Sequence, residues 1–283
     1  MSDAAAATVG AALREARALG LPRLDAQLLL AHALARPRPW LLANDDAGLD
    51  AERLAEWRAL RDRRLAGEPL AYLVGTKEFH GLQLHVDARV LVPRPETEGL
   101  VDWALEHLGG ATAGARVVDL GTGSGAIALA VKHACPGAQV IATDADAGAL
   151  AVARANGARL GVDVDWRLGD WWSALAAGES VDLALSNPPY VAGDDAHLAA
   201  LGHEPRHALT PGGDGLDALR RIVAGAAGHV RPGGWLLLEH GHDQADAVRA
   251  LLAEHGFAAI ETRRDLAGHA RCTGGCRAGA RPA

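Results

Sequence analysis

The stretch Leu185-Ser186-Asn187-Pro188-Pro189-Tyr190 closes the apolar run Val181-Asp182-Leu183-Ala184-Leu185. Neither proline has an N–H to extend a ladder or a helix, and the residue before each is pushed to extended geometry, so the turn is stiff. Asn187 offers an amide acceptor and an amide donor, the Pro188 carbonyl has no helical partner, and Tyr190 adds a flat ring. Together Asn187, Pro188, Pro189 and Tyr190 can hold a planar –NH2 group. Asn-Pro and Pro-Pro are also ordinary turn formers, so a plain strand stop is the competing reading.

Upstream, Arg116–Leu120 reads as a strand, Gly121-Thr122-Gly123-Ser124-Gly125 as a loop, the residues from Ala126 as an apolar helix, and Gln139–Thr143 as a second strand ending at Asp144. Glycines let backbone approach a ligand, and the free N–H groups of the next helix start favour a negative group. Two cofactor classes fit. Gly121, Gly123 and Ala126 satisfy the dinucleotide pattern, with Asp144 near the position of a ribose carboxylate. Asp119, two residues before the first glycine, and Gly125 instead resemble the Asp-x-Gly-x-Gly-x-Gly loop of S-adenosylmethionine methyltransferases, where an acid suits the cationic amino-acid end of the cofactor. A third strand, Val164–Leu168, leads to Asp170 and Trp171. These can read an adenine, the carboxylate taking its amine and the indole its face, or Trp171 and Trp172 can simply cover a gap between helix and sheet.

The elements that must position these groups follow from periodicity. Helical spacing recurs at Val9, Leu13 and Ala16, at Leu24, Leu28 and Ala31, and at Leu54, Trp57 and Leu60, with breaks at Gly20-Leu21-Pro22 and Arg36–Pro39, which predicts a small helical bundle. Its charges cancel, which suits docking a protein better than gripping phosphates, and suits a solvated face as well. Phe79, Leu82, Leu84 and Val86 alternate about His80-Gly81 as a short hairpin. Leu100, Val101, Ala104, Leu105 and Leu108 mark a helix after Pro93-Arg94-Pro95-Glu96-Thr97-Glu98, whose charges either line the site or start the helix. After Tyr190 comes a Gly- and His-rich segment, 192–215, readable as a substrate-facing loop or an insertion. A helix from Leu216, a strand Trp235–Glu239, a helix near Ala247–His255 and two closing strands near Ala258–Thr262 and within Ala270–Arg277 continue the alternation. Open parallel sheets bind ligands at the carboxyl ends of their strands, so the glycine loop and Asn-Pro-Pro-Tyr should face one crevice.

At 283 residues, 49% hydrophobic and net charge −7, the chain can bury a full core, and it carries no basic block for bulk nucleic-acid binding. No apolar run approaches a spanning helix and the start has no basic leader, so a cytoplasmic protein without membrane association is expected. Cys135, Cys272 and Cys276 are too few for a disulfide framework, and Cys272 and Cys276 lack partners for a metal site.

Taken together, Pro69–Gly75, Glu78-Phe79, Val92–Glu98, Asp119–Gly125, Asp170-Trp171, Ser186–Tyr190 and Leu238-Glu239-His240-Gly241 resemble the release-factor glutamine methyltransferases, the PrmC/HemK family of class I methyltransferases. The resemblance implies an α/β fold: a Rossmann-like, seven-stranded, mostly parallel sheet over 93–283, an N-terminal all-α docking bundle over 1–75, and a β-hairpin linker over 76–92. It implies S-adenosyl-L-methionine as cofactor, held by Asp119, Gly121, Thr122, Gly123, Ser124, Gly125, Asp144, Asp170, Trp171 and Asn187. It also implies class I peptide chain release factors as substrate, methylated on the side-chain nitrogen of the glutamine in Gly-Gly-Gln, by a monomer needing no nucleic acid or metal. Cys272-Thr273-Gly274-Gly275-Cys276 departs from the more apolar strand expected there, which puts the last strand in question. The Asn-Pro-Pro-Tyr geometry would accept adenine N6 too, so DNA adenine methylation is the rival, though it calls for a recognition domain and a basic groove. A nicotinamide-dependent oxidoreductase, or a non-catalytic binding module using the bundle, are the readings from other classes.

Overall fold

The computed structural model describes residues 7–109 and 114–279, in two units that divide between Thr76 and Lys77. In the first, α1 (Val9–Ala18), α2 (Arg23–Ala33), α3 (Arg38–Ala43), α4 (Ala51–Leu65) and α5 (Leu70–Val74) supply a core that includes Leu29, Leu30, Leu41 and Trp57. Thr8 caps α1 through the Ala11 amide and Asp50 caps α4 through the Arg53 amide, each satisfying a free N–H of a first turn. The expected stripe on α2 is displaced: Leu24 is 50% exposed, while Ala26, Leu29, Leu30 and Ala33 are buried. Apolar residues ring most of that helix, so its period selects no face and contact with α1 and α4 decides.

β1 (Thr76–Phe79), which enters the second unit at Lys77, and β2 (Leu82–His85) turn at His80 and Gly81, both at positive φ, as a two-residue hairpin matched to strand twist requires. Phe79, Leu82 and Leu84 enter the core, and Asn156 holds the hairpin by accepting the His85 amide at 2.7 Å and donating to the His85 carbonyl at 3.0 Å. Then follow α6 (Glu98–Leu108), β3 (Arg116–Leu120), α7 (Ala126–Ala134), β4 (Gln139–Asp144), α8 (Ala147–Leu160), β5 (Asp165–Leu168) and β6 (Val181–Ser186). Two short helices, α9 (His197–Ala200) and α10 (Arg206–Leu209), precede α11 (Asp217–His229), β7 (Val230–Glu239), α12 (Ala245–Glu254), β8 (Phe257–Arg264) and β9 (Ala270–Arg277).

The seven strands form one sheet in the order β5-β4-β3-β6-β7-β9-β8, with β9 antiparallel to both its neighbours. Val117, Leu183 and Leu185 lie in the core shared with α6 and α7, and Val118, Ala184 and Leu236 in the core shared with α11 and α12, which is why the strands read as continuous apolar runs. The last strand forms in full, and its glycines have a reason. A Cβ on Gly274 would stand 2.4 Å from the Leu237 side chain and 2.9 Å from both the Leu236 carbonyl and the Trp103 ring. Trp103 from α6 supplies the bulk that this position omits. Among the described residues no helix is long and apolar enough to cross a membrane, and no group of three His, Cys, Asp or Glu can hold a metal.

Gly274→Val should therefore overpack the sheet against Trp103 and lower stability by about 1–3 kcal/mol, read as a shift of the urea midpoint at unchanged slope. Unaltered stability would mean that Trp103 is free to move aside.

Candidate active site

Strand β3 pairs in parallel with β6, Asp119 opposite Leu185, and with β4 on its other side. The loop after β3 and the turn after β6 therefore leave adjacent carboxyl ends, where the strand order reverses and a crevice opens. Buried Ser186 donates its hydroxyl to the Leu120 carbonyl at 2.7 Å, and the Gly121 and Thr122 amides both donate to the Thr143 carbonyl at 2.9 Å. These bonds draw the ends of β3, β4 and β6 together around a cavity of about 250 Å³.

Gly121, Thr122, Gly123, Ser124, Asp144, Asp170, Trp171, Asn187 and Pro189 all stand on its wall. Asp144 accepts the Gly123 amide on Oδ2 and the Asp146 amide on Oδ1, both at 2.9 Å, and each oxygen keeps a further lone pair. The two tryptophans divide the two readings of their pair between them. Trp172 donates to the Ile222 carbonyl at 2.8 Å and stacks on His229 in the core, whereas Trp171 lies over Gly121, where a Cβ would come within 3.0 Å of its ring. Trp171 holds a φ of 50°, a left-handed backbone that costs energy in a bulky residue, and its buried indole N–H has no partner among the described residues. Asp170 is ion-paired with Arg221.

Asp119, Gly125, Pro188 and Tyr190 do not line this cavity. Asp119 is fully buried and accepts the Thr122 hydroxyl at 2.6 Å and the Ala128 amide at 3.2 Å, which staples the glycine loop to α7. Gly125 packs where a Cβ would meet Leu129, Trp166 and Ala153. Pro188 is buried, and Tyr190 turns its hydroxyl to Glu239 at 3.2 Å. Gly215 lies so close to the Tyr190 carbonyl that a Cβ would stand 2.3 Å from it.

Three contributors were given no role by the sequence, although Thr97 and Glu239 lie within the Val92–Glu98 and Leu238–Gly241 stretches. Thr97, buried in the proline-rich lead-in, accepts Asn187 Nδ2 at 3.1 Å, so the Asn187 oxygen is the end left toward the cavity. Glu204, from 192–215, is buried, accepts the Val92 amide at 3.0 Å and pairs with Arg94 at 2.5 Å. That segment is hence folded down, and His207 and Ala208 join the cavity wall. Arg94 serves the site, while Glu98 accepts the His80 amide and so belongs to the hairpin. The third is Glu239, at the end of β7.

Burial sets the electrostatics. It pushes the Asp119 carboxyl up to about 7 against the opposing Thr122 and Ala128 hydrogen bonds, and it pushes Glu239 to about 7 against Thr97, Arg271 and Tyr190. Asp144 is raised by burial as well. An acid raised in the fold binds a proton that the unfolded chain has released, so its contribution to stability falls as pH rises from about 4 to about 7. Asp119→Asn keeps an acceptor for Thr122 and Ala128 but does not titrate. Urea unfolding at pH 5 and pH 8 should show the loss of stability across that range reduced by up to roughly 3 kcal/mol in the variant. An identical pH slope would place Asp119 ionised in the folded protein.

Residues 5–75 match the family model of the PrmC N-terminal domain, and residues 102–216 match that of the methyltransferase small domain. A release factor glutamine methyltransferase of Bordetella pertussis is 54% identical over 258 residues, covering 90% of this chain and 95% of that protein. Those of Burkholderia pseudomallei and Vibrio cholerae are 49% and 44% identical, over 92% and 89% of this chain and 93% and 88% of theirs. Among solved structures, the Thermus thermophilus 16S rRNA N2 G1207 methyltransferase in complex with AdoMet and guanosine superposes with a TM-score of 0.56 at 21% identity, covering 71% of this chain and 49% of that one, a likeness of fold. Matched along nearly its whole length at such identities, the chain belongs to the release factor glutamine methyltransferase family.

Proposed function

We propose that this protein transfers a methyl group from S-adenosylmethionine to the side-chain nitrogen of the glutamine in the Gly-Gly-Gln motif of class I peptide chain release factors, in the cytoplasm and as a monomer without direct nucleic-acid contact. The observation that carries the reading is the orientation of Asn187: with Nδ2 given to Thr97, its oxygen is a fixed acceptor at the edge of the cavity. The names of the relatives supply the substrate.

S-adenosylmethionine supplies a methyl group on a sulfonium sulfur. The residues present suit it: Gly121 and Gly123 offer bare backbone, Asp144 has lone pairs for two ribose hydroxyls, and the Trp171 indole N–H and Asp170 are at hand for the adenine. Asp119 acts from beneath, by holding the loop.

An amide nitrogen shares its lone pair with its carbonyl and is a poor nucleophile, so placement has to supply much of the rate. The Asn187 oxygen and the Pro188 carbonyl accept the two amide hydrogens, and Tyr190 packs on the amide plane. The stiff Pro188-Pro189 turn keeps these acceptors from relaxing away. In the bundle, residues 1–75 position the release factor, leaving cofactor binding to the second unit.

Asp144→Ala should weaken cofactor binding by about 1–3 kcal/mol by calorimetry, and unchanged affinity would remove Asp144 from the site. Asn187→Ala should fold and bind cofactor yet slow single-turnover methylation of a release factor by at least ~10²-fold, with Asn187→Asp retaining more activity if acceptance of the amide hydrogen is the main role. A near-normal rate in a folded, cofactor-bound Asn187→Ala would return the turn to a strand stop.

A further inference from the structure

Leu238-Glu239-His240-Gly241 has so far no task. Strand β7 lies beside β6, and Glu239 at its end reaches the Asn-Pro-Pro-Tyr turn from within the protein. It is 1% exposed, and its Oε2 is buried without a partner among the described residues. A buried carboxyl with an unsatisfied oxygen is costly, so packing alone does not account for one here. Tyr190 donates its hydroxyl to Oε1 at 3.2 Å, and the Thr97 hydroxyl also bears on this carboxyl. Thr97 in turn accepts Asn187 Nδ2. Both side chains assigned to the substrate amide thus end on one group.

The direction of these bonds matters. A hydroxyl has one proton to give, and an ionised carboxylate only accepts. Where the Thr97 hydroxyl gives its proton to this carboxyl, its oxygen can only accept, and Asn187, whose Nδ2 it accepts, presents its –NH2 inward and its oxygen outward. We infer that Glu239 is a positioning residue for methyl transfer: as an acceptor-only group it fixes the Tyr190 ring by its hydroxyl and, through Thr97, sets which end of the Asn187 amide faces the substrate. This rests on the reading of Asn187 and Tyr190 as the groups that hold the glutamine amide.

Glu239→Gln tests it, because the isostere keeps shape but brings an –NH2 that can donate to Thr97, reverse the relay and turn Asn187 around. Assays at pH 8 lie above the point to which burial lifts Glu239. The expected result, with a release factor as substrate, is a single-turnover rate at least 10-fold below wild type while S-adenosylmethionine affinity stays within two-fold. Thr97→Val, which removes the relay hydroxyl, should slow transfer likewise, and the double variant should be less impaired than the product of the two single effects, since both act through Asn187. A role in stability alone would lower thermal midpoint and cofactor affinity together and give independent effects. Glu239→Gln at a rate within two-fold of wild type overturns the inference; should that variant not fold, Thr97→Val at wild-type rate does so. Absence of methyl transfer by the wild-type protein would strike the proposed function instead.

Discussion

Strands β3 and β6 run side by side in parallel, Asp119 opposite Leu185, and the chemistry of the molecule depends on that pairing. The chain leaves β3 toward β4 on one side and reaches β6 on the other, so the helices that follow β3 and β6 pack on opposite faces and part at the carboxyl ends. The glycine loop and the Asn-Pro-Pro-Tyr turn are distant in sequence yet share one edge. The Ser186 to Leu120 bond closes the seam between them, and because both groups are buried, losing it would strand a carbonyl without water.

Around this seam the protein accumulates buried polar groups that a core would normally exclude. Asn156 ties the hairpin and the Ser124 carbonyl to α8, Asp119 ties the loop to α7, and Glu239 with Thr97 and Tyr190 backs the turn. Asp119 and Glu239 each retain one oxygen without a partner among the described residues, and both are pushed toward neutrality by burial. Such arrangements cost stability and persist where groups must be held at set angles. Here they stand on either side of the strand ends that carry the glycine loop and Asn187.

Space is assigned as carefully as charge. Gly121 yields to Trp171, Gly215 to the Tyr190 carbonyl and Gly274 to Trp103 and Leu237. In each case a missing side chain admits a neighbour that arrives from a distant part of the chain.

Periodicity and punctuation in the sequence were enough for the alternation of strands and helices, the hairpin at His80-Gly81, and the grouping of the glycine loop, Asp144, Trp171 and Asn187, because each rests on local propensity or on the general rule for parallel sheets. The buried face of α2 was not legible, since its apolar residues run round the helix and only contact with α1 and α4 selects among them. The last strand was expected within Ala270–Arg277 yet left in question, because Cys272-Thr273-Gly274-Gly275-Cys276 is poor in strand-forming bulk; it forms with Trp103 placed against it. That Thr97, Glu204 and Glu239 would gather behind Asn187 and Arg94 was decided by tertiary structure alone. A hydrogen bond between residues 90 or 110 positions apart leaves no periodic trace, because it depends on which strand ends become neighbours and on what each buried polar atom finds there.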